Sequence, residues 1–355
     1  MKRVLVTPLD WGLGHATRSL SIIRELERAE CEVLIAGNGD SLELLKAELP
    51  HHNFFTLPGY DPVYPLNGSM VMTMARQLPR FVRVIKDEHR ATESIVVKAK
   101  IDLIISDNRY GCWSEKAPSV LVTHQSNVLM PKRFGWLQIP VRKTTEHMMN
   151  RFTRCWVPDM PSPDSLTGEL ISFGAFRTNV PVEFIGWLSR FERRESTPDI
   201  LYDVLAICSG PEPQRSILER MLYSQLSLSG LSFRIVRGLP SKDIQGDSRV
   251  VNMMTSSELQ EAIESAALVI ARSGYSTVMD MLALGKRAIF VPTPGQTEQE
   301  YLANVLMSKG IAYSMPQDAF DLSHALEKSK QYKGFTPQEK GDLLRQAVLR
   351  VLTNA

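Results

Sequence analysis

The stretch Leu268–Asn304, LVIARSGYSTVMDMLALGKRAIFVPTPGQTEQEYLAN, decides the fold. Leu268-Val269-Ile270-Ala271 is a short apolar run of strand type. Arg272-Ser273-Gly274 breaks it, and a helical pattern then runs from near Gly274 to a Leu284-Gly285 stop. Ala288-Ile289-Phe290-Val291 is the next strand, ended by Pro292, Pro294 and Gly295. Thr297 opens a second helix, and its spacing to Glu300 predicts a capping box. Strand, turn, helix, strand, turn, helix is the signature of a parallel α/β sheet.

The first of these helices can carry chemistry. Ser273, Thr277 and Asp280 lie three or four residues apart, along one face. Val278, Met281 and Leu282 point to another face and can be core. A helix N-terminus offers unpaired N–H groups and a positive dipole end, which suits a diphosphate. A carboxylate further along that face could take ribose hydroxyls. Gln296, Glu298 and Gln299 open the next helix and could face the same ligand, since ligands of parallel sheets sit beyond the strands' carboxyl ends. One such turn alone reads better as an ordinary βα turn with polar caps; two adjacent turns with complementary chemistry bring a ligand site level with that reading.

The pattern R-S-G-x-x-T-x-x-D, then L-x-x-G-K, V-P-x-P and E-Q in the next helix resembles the nucleotide-sugar domain of the MurG-like family-28 glycosyltransferases. The resemblance implies a GT-B fold: two Rossmann-like parallel-sheet α/β domains facing across a cleft. It implies that Asp280, usually Glu in the family, binds the ribose hydroxyls, and that Gln299 contacts the donor sugar. The family often has Asp-His-Gln where this chain has Thr297-Glu298-Gln299.

Length and composition bound the answer. The 355 residues are enough for two domains, and the formal net charge of +2 implies no general polyanion or nucleic-acid partner. The N-terminus runs straight into Val4-Leu5-Val6, without a secretory apolar core, and no apolar run approaches membrane-spanning length. Cys31, Cys112, Cys155 and Cys208 are scattered without metal-like spacing, as reduced cytosolic thiols would be.

In the first half, Arg3 to Thr7 is a strand running into Pro8-Leu9-Asp10-Trp11-Gly12-Leu13-Gly14-His15, with a helix from about Ala16 to Arg28. Gly12 and Gly14 permit close backbone approach at a helix start. The third glycine of a dinucleotide fingerprint is missing, which counts against NAD. His15 has a pKa near neutrality and could take a proton from an attacking hydroxyl. Family-28 relatives have G-x-G-G-H or G-x-G-H here, where donor and acceptor meet. The resemblance therefore marks His15 as the base, and Thr17-Arg18 extend it to G-x-G-H-x-x-R, with Arg18 near the donor diphosphate.

Asp40 or Ser41 is expected to cap a helix to Leu49, and Pro58 to Asn67 reads as a long loop on the acceptor side. Ser69 to Lys100 reads as mostly helical with a break or kink at Pro79, its Met70, Met72 and Met74 forming either core or a lipid groove. Two strands end in polar groups, Asp107-Asn108-Arg109-Tyr110 and Thr123-His124-Gln125-Ser126-Asn127. The second resembles the family's H-E-Q-N stretch. Asp107, His124 and Asn127 are expected to line the cleft, with Asp107 orienting His15 or standing in as base. From Met130 to Cys155, six basic side chains face only Glu146 and are interleaved with Phe134, Trp136, Leu137 and Ile139. This mixture suits a solvated basic face over core, or an anionic membrane surface.

Gly186 to Pro198 reads as the interdomain linker. The expected organisation is residues 1–188 as the acceptor-side domain, 199–335 as the nucleotide-sugar domain, and 336–355 as a helix crossing back onto the first. Gly186 and Arg190 match a G-N-P-x-R stretch of the family whose arginine lies near the diphosphate. Ser209 and Gly210 stand where the family has a phosphate-contacting Gly-Gly-Ser turn, with Arg215 adding a donor. The segment Asn252-Met253-Met254-Thr255 matches the one whose backbone, at Met254, reads the uracil edge.

The reading that results is transfer of a sugar, GlcNAc or a related hexosamine, from a UDP-sugar to a hydroxyl acceptor, with a lipid-linked cell-envelope acceptor among the options. Arg272, Ser273, Gly274, Thr277, Asp280, Glu298 and Gln299 belong to the donor side, and Gly12, His124 and Asn127 to the acceptor side. No D-x-D motif is present and no metal or cofactor is expected. The expected location is cytoplasmic, with peripheral contact to the inner membrane surface. The rival readings are a UDP-GlcNAc 2-epimerase on the same fold, for which no convincing set of additional acidic residues stands out, and a catalytically silent nucleotide-sugar binder.

Overall fold

A computed structural model describes residues 1–66, 70–125, 132–171, 179–194, 198–239, 246–337 and 341–353. Asn127 lies outside them. The first sheet is built from β1 Arg3–Pro8, β2 Glu32–Gly37, β3 Asn53–Thr56, β4 Leu103–Asp107, β5 Ser119–Val122, β6 Arg154–Val157 and β7 Val182–Phe184. Their spatial order is β3-β2-β1-β4-β5-β6-β7, and every pairing is parallel. The second sheet uses β8 Tyr202–Ile207, β9 Phe233–Val236, β10 Val250–Val251, β11 Ala266–Ala271, β12 Ala288–Phe290 and β13 Tyr313–Ser314. It too is wholly parallel, in the order β10-β9-β8-β11-β12-β13. A parallel sheet is covered on both faces, so its strands are continuous apolar runs; Val4, Leu5 and Val6 are all fully buried.

The helices of the first half are α1 Gly14–Arg28, α2 Gly39–Glu48, α3 Met70–Ala99 and α4 Gln138–Met149. Those of the second are α5 Gln214–Leu228, α6 Ser256–Glu264, α7 Tyr275–Leu284, α8 Thr297–Ser308 and α9 Leu322–Ser329. The last helix, α10 Leu343–Thr353, places Ala347, Val348 and Val351 in the core of the first sheet beside Ile22, Ile23 and Leu26.

Strand order reverses between β1 and β4 in one sheet and between β8 and β11 in the other. Crevices open at such reversals, outside the carboxyl ends of the strands. Pro8 is in register with Asp107 and Ile207 with Ala271. The turns after β1 and β4 are thereby brought together, as are those after β8 and β11.

Several local expectations are corrected. Gln296, not Thr297, occupies the cap position of α8; Thr297 is already helical, so no capping box forms, and Glu300 Oε1 accepts from the Gly295 N–H at 2.8 Å. Asn38 occupies the cap position of α2, which leaves Ser41 Oγ to donate to the Gly12 carbonyl at 2.9 Å. Helix α3 runs through Pro79. A proline forfeits one helical hydrogen bond, and the packed residues beyond it, Phe81, Val84, Ile95 and Val96, hold the helix together. Met72 is exposed rather than core.

The first part of the expected linker is a packed strap. Ile185, Trp187, Leu188 and Phe191 are buried, and Trp187 Nε1 donates to Asp159 Oδ1 at 2.9 Å. Helix α1 grips the strap's backbone: Ser21 Oγ donates to the Ser189 carbonyl (2.7 Å) and Arg24 Nη1 to the Arg190 carbonyl (2.8 Å).

Candidate functional site

The turn after β1 and the start of α1 form one wall of the cleft. Arg18 and Asp107 are its buried centre. Arg18 Nε donates to Asp107 Oδ2 at 2.6 Å and its Nη2 to Asp107 Oδ1, a two-point guanidinium–carboxylate pair. His15 Nδ1 lies 3.1 Å from Asp107 Oδ1. Burial tends to raise the Asp107 pKa, but Arg18 and His15 outweigh it and hold the carboxyl well below the usual carboxylate range. Burial, with Arg18 adding to it, lowers His15 below its ordinary value against the opposing pull of Asp107. His15 is therefore a neutral imidazole. Arg18 Nη2 also lies 2.9 Å from His15 Nδ1, so this nitrogen faces a donor and an acceptor; in the tautomer that donates Nδ1–H to Asp107, Nε2 keeps its lone pair and can accept a proton. Asp107, held as an anion by Arg18, stands where it can orient this ring.

His124 extends the cluster across the cleft. Arg18 Nη1 donates to its Nδ1 at 2.6 Å, which places the imidazole proton on Nε2. That atom faces Glu298 Oε1 at 3.2 Å. The His124 ring stacks on Tyr275, centroids 4.4 Å apart. Burial works to raise the Glu298 pKa, but His124, His15 and Arg18 bring it below its ordinary value. The sequence reading assigned His124 to the acceptor side and Glu298 to the donor side; the structure joins them.

The opposite wall is the start of α7. Gly274 sits at the cap position with no side-chain cap, so the N–H groups of the first turn point into the cleft mouth without a capping side chain. Ser276 Oγ donates to the Gly14 carbonyl at 2.8 Å. A Cβ on Gly14 would lie 3.0 Å from Ser276 Oγ, so glycine there permits the close approach of the two walls. Ser273 Oγ donates to the Gln299 carbonyl (2.8 Å), and Gln299 Oε1 accepts from the Thr293 N–H (2.8 Å). The turns after β11 and β12 are thus fixed to each other. The Gln299 Nε2 end lies beside Gly274. Thr277 is half-buried on the same helix.

Asp280, one turn further, is buried and accepts from Ser189 Oγ at 2.6 Å. Arg190 Nε stands 3.9 Å from Asp280 Oδ2. The structure therefore puts Arg190 at the carboxylate end of α7.

Two arginines expected on the donor side are engaged by the protein. Arg272 donates to the carbonyls of Val291 (3.0 Å), Pro292 (3.1 Å) and Gln214 (2.8 Å) and to Gln317 Oε1 (2.6 Å), tying the loops of the second sheet together. Arg215 pairs with Glu212 and with Glu219 (3.0 Å) on and beside its own helix. Ser209 is half-buried and Gly210 exposed at the end of β8. Met254 is half-buried and packs against the second-sheet core, just before the Thr255–Glu258 capping box of α6. Gly12 is half-buried beside α2, its carbonyl taken by Ser41.

Sequence reasoning missed Tyr275, Ser276 and Ser189, whose partners are more than ninety positions away or on the other wall. It also missed Arg109 as a hub. Arg109 is fully buried, with Nε donating to the Pro8 carbonyl (2.8 Å), Nη1 to Glu88 Oε1 (2.5 Å) and to the Pro58 carbonyl (3.0 Å), and Nη2 3.2 Å from Asp10 Oδ1. Tyr60 Oη completes the network by donating to Glu88 Oε2 at 2.8 Å. The network anchors the loop carrying Pro58 and Tyr60 to the end of β1.

Known proteins are similar to this chain in sequence and in fold. The model of the glycosyltransferase family 28 C-terminal domain matches residues 239–342. An uncharacterized glycosyltransferase of Methanosarcina acetivorans is 26% identical over 349 residues, covering 89% of this chain and 87% of the relative. A UDP-N-acetylglucosamine–N-acetylmuramyl-(pentapeptide) pyrophosphoryl-undecaprenol N-acetylglucosamine transferase of Methylorubrum extorquens is 48% identical over 65 residues, 18% of each chain. The crystal structure of Acinetobacter baumannii MurG superposes with a TM-score of 0.56 at 15% identity, covering 99% of this chain and all of that one.

Proposed function

We propose that this chain, which is a family-28 glycosyltransferase of the GT-B fold, moves GlcNAc or a related hexosamine from a UDP-sugar to a hydroxyl acceptor. The observation that carries the reading is the meeting of a neutral, Asp107-held His15 with the uncapped start of α7, joined through Gly14 and Ser276. The donor diphosphate would lie at the α7 N-terminus, where backbone N–H groups and the helix dipole stabilise the charge that develops as the sugar leaves. With Arg272 and Arg215 engaged elsewhere, this stabilisation rests on the backbone more than on arginines, and no metal is required by it. His15 Nε2 would remove the acceptor's proton as its oxygen attacks the anomeric carbon, while Asp107 supports the imidazolium that forms. Asp280 would receive the ribose hydroxyls, and Glu298 and Gln299 the sugar.

The acceptor side is the face of the first domain. Trp136 and Ile139 are 73% and 58% exposed there, on and beside α4, which also carries Arg142 and Lys143. Exposed aromatic and apolar groups among basic ones favour an anionic membrane surface over a purely solvated face, and a lipid-linked acceptor would be met at such a surface. Among the described residues no helix is long and apolar enough to cross a membrane.

The test is UDP release from UDP-GlcNAc, followed with wild type and His15→Ala. The proposal expects turnover by the wild type and a loss of about 100- to 10,000-fold in kcat in the variant, with UDP binding retained. Equal turnover by both proteins would remove His15 from the chemistry, and binding without turnover in either would favour a silent nucleotide-sugar binder.

A further inference from the structure

The strap between the domains reaches into the donor side at one place. Ser189 Oγ donates to Asp280 Oδ1 at 2.6 Å and accepts from the Phe191 N–H at 3.1 Å. The hydroxyl is thereby fixed in direction and holds one oxygen of the carboxylate. Ser189 is 2% exposed and its backbone is tied to α1 through Ser21, so the contact is rigidly supported. Next to it, Arg190 is buried, with Nη1 reaching Ser256 Oγ at 3.3 Å. Among the described residues its Nε has no hydrogen-bond partner, although it stands only 3.9 Å from Asp280 Oδ2. A buried donor without a partner costs free energy. A hydroxyl oxygen lying between the guanidinium and the carboxylate would accept from one and donate to the other.

We propose that Ser189 is a positioning residue that presents Asp280 to a vicinal diol, with Arg190 Nε as the second contact of that diol. This rests on the reading of Asp280 as the ribose-binding carboxylate and deepens it. An Asp in place of the longer Glu has less reach and fewer rotamers, and a serine on the strap that clamps one carboxylate oxygen fixes the direction of the other. Ribose recognition is then shared between α7 and the interdomain strap, and through Ser21 and Arg24 the strap connects it to α1, the helix that carries His15.

The experiment compares UDP with 2′,3′-dideoxy-UDP, which lacks the diol, by calorimetric titration of wild type, Ser189→Ala, Ser189→Thr, Asp280→Ala and the Ser189→Ala/Asp280→Ala double variant. The expected result is that Ser189→Ala weakens UDP by about tenfold and leaves the dideoxy analogue within about twofold. Ser189→Thr restores UDP, and in the Asp280→Ala background the serine substitution has no added effect. Equal weakening of both nucleotides, or full additivity with Asp280→Ala, would overturn the positioning role while leaving the donor site standing. A wild type that does not distinguish UDP from the dideoxy analogue would overturn the ribose reading itself, and the proposal with it.

Discussion

His15, Arg18 and Asp107 form a pair of charges and one neutral ring, and the pH behaviour follows from that. His15 works as a base only when deprotonated, and its pKa lies below the ordinary 6.5. The acid limb of kcat/KM is therefore expected below pH 6.5, with activity falling as the pH drops through the folded value; an acid limb above 7 would contradict the assignment. Asp107 contributes stability through its depressed pKa. That contribution is complete above the ordinary carboxyl value of 3.8 and is lost as the pH falls through the lower folded value. Removing the carboxylate leaves Arg18 buried and unpaired, so Asp107→Ala should destabilise by about 3–5 kcal/mol, read by denaturant unfolding. A change under 1 kcal/mol would show that Arg18 finds another partner. The histidine, arginine and aspartate were legible in the sequence because each sits at a strand end or a helix start, where polar groups are unexpected in a core. The contacts of His124 with Glu298 and Tyr275, and of Asp280 with Ser189, were not, because they join residues on separate elements and no local spacing encodes them.

At the scale of elements, apolar runs and breakers placed the strands and turns well. Leu268–Asn304 gave β11, α7, β12 and α8 in order, with α7 ending at Gly285 as its pattern implied. Cap chemistry was read less well, since one residue's shift moved Thr297 from the cap into the helix. The packing of the linker was not legible, because Trp187, Leu188 and Phe191 are too few to show a period, yet they bury the strap. Gly285 provides an element-scale prediction. It closes α7 at φ +64°, and a Cβ there would come within 2.3 Å of Pro337 Cγ. Gly285→Ala should lose about 1–2 kcal/mol from backbone conformation alone, more with the clash. A thermal melt unchanged from wild type would mean that the turn and Pro337 can relax together.

The whole molecule is two parallel sheets whose reversal points face each other, held by contacts made across the cleft: Ser276 to Gly14, His124 to Glu298, and Ser189 to Asp280. The second domain gave the clearer sequence signal, because the turns proposed to hold the donor rely on backbone and cap chemistry that shows in local spacing. The face proposed to meet the acceptor is set by loop shape and surface residues, which carry no fixed spacing. Its exposed Trp136 and Ile139 lead to a prediction for the intact protein: it should sediment with phosphatidylglycerol vesicles at low salt. Trp136→Ala/Ile139→Ala should lower the bound fraction, and high salt should lower it in both. Absence of vesicle binding by the wild type would remove the membrane from the account.

The proposal stands or falls on whether α7 and Asp280 hold a uridine diphosphate donor, which calorimetric titration of UDP, GDP, dTDP and NAD into wild type and Asp280→Ala decides. UDP should bind wild type more tightly than the other three, and at least tenfold more weakly to Asp280→Ala, the loss of a charge-assisted hydrogen bond pair. Binding of NAD alone, or of no nucleotide, would contradict it.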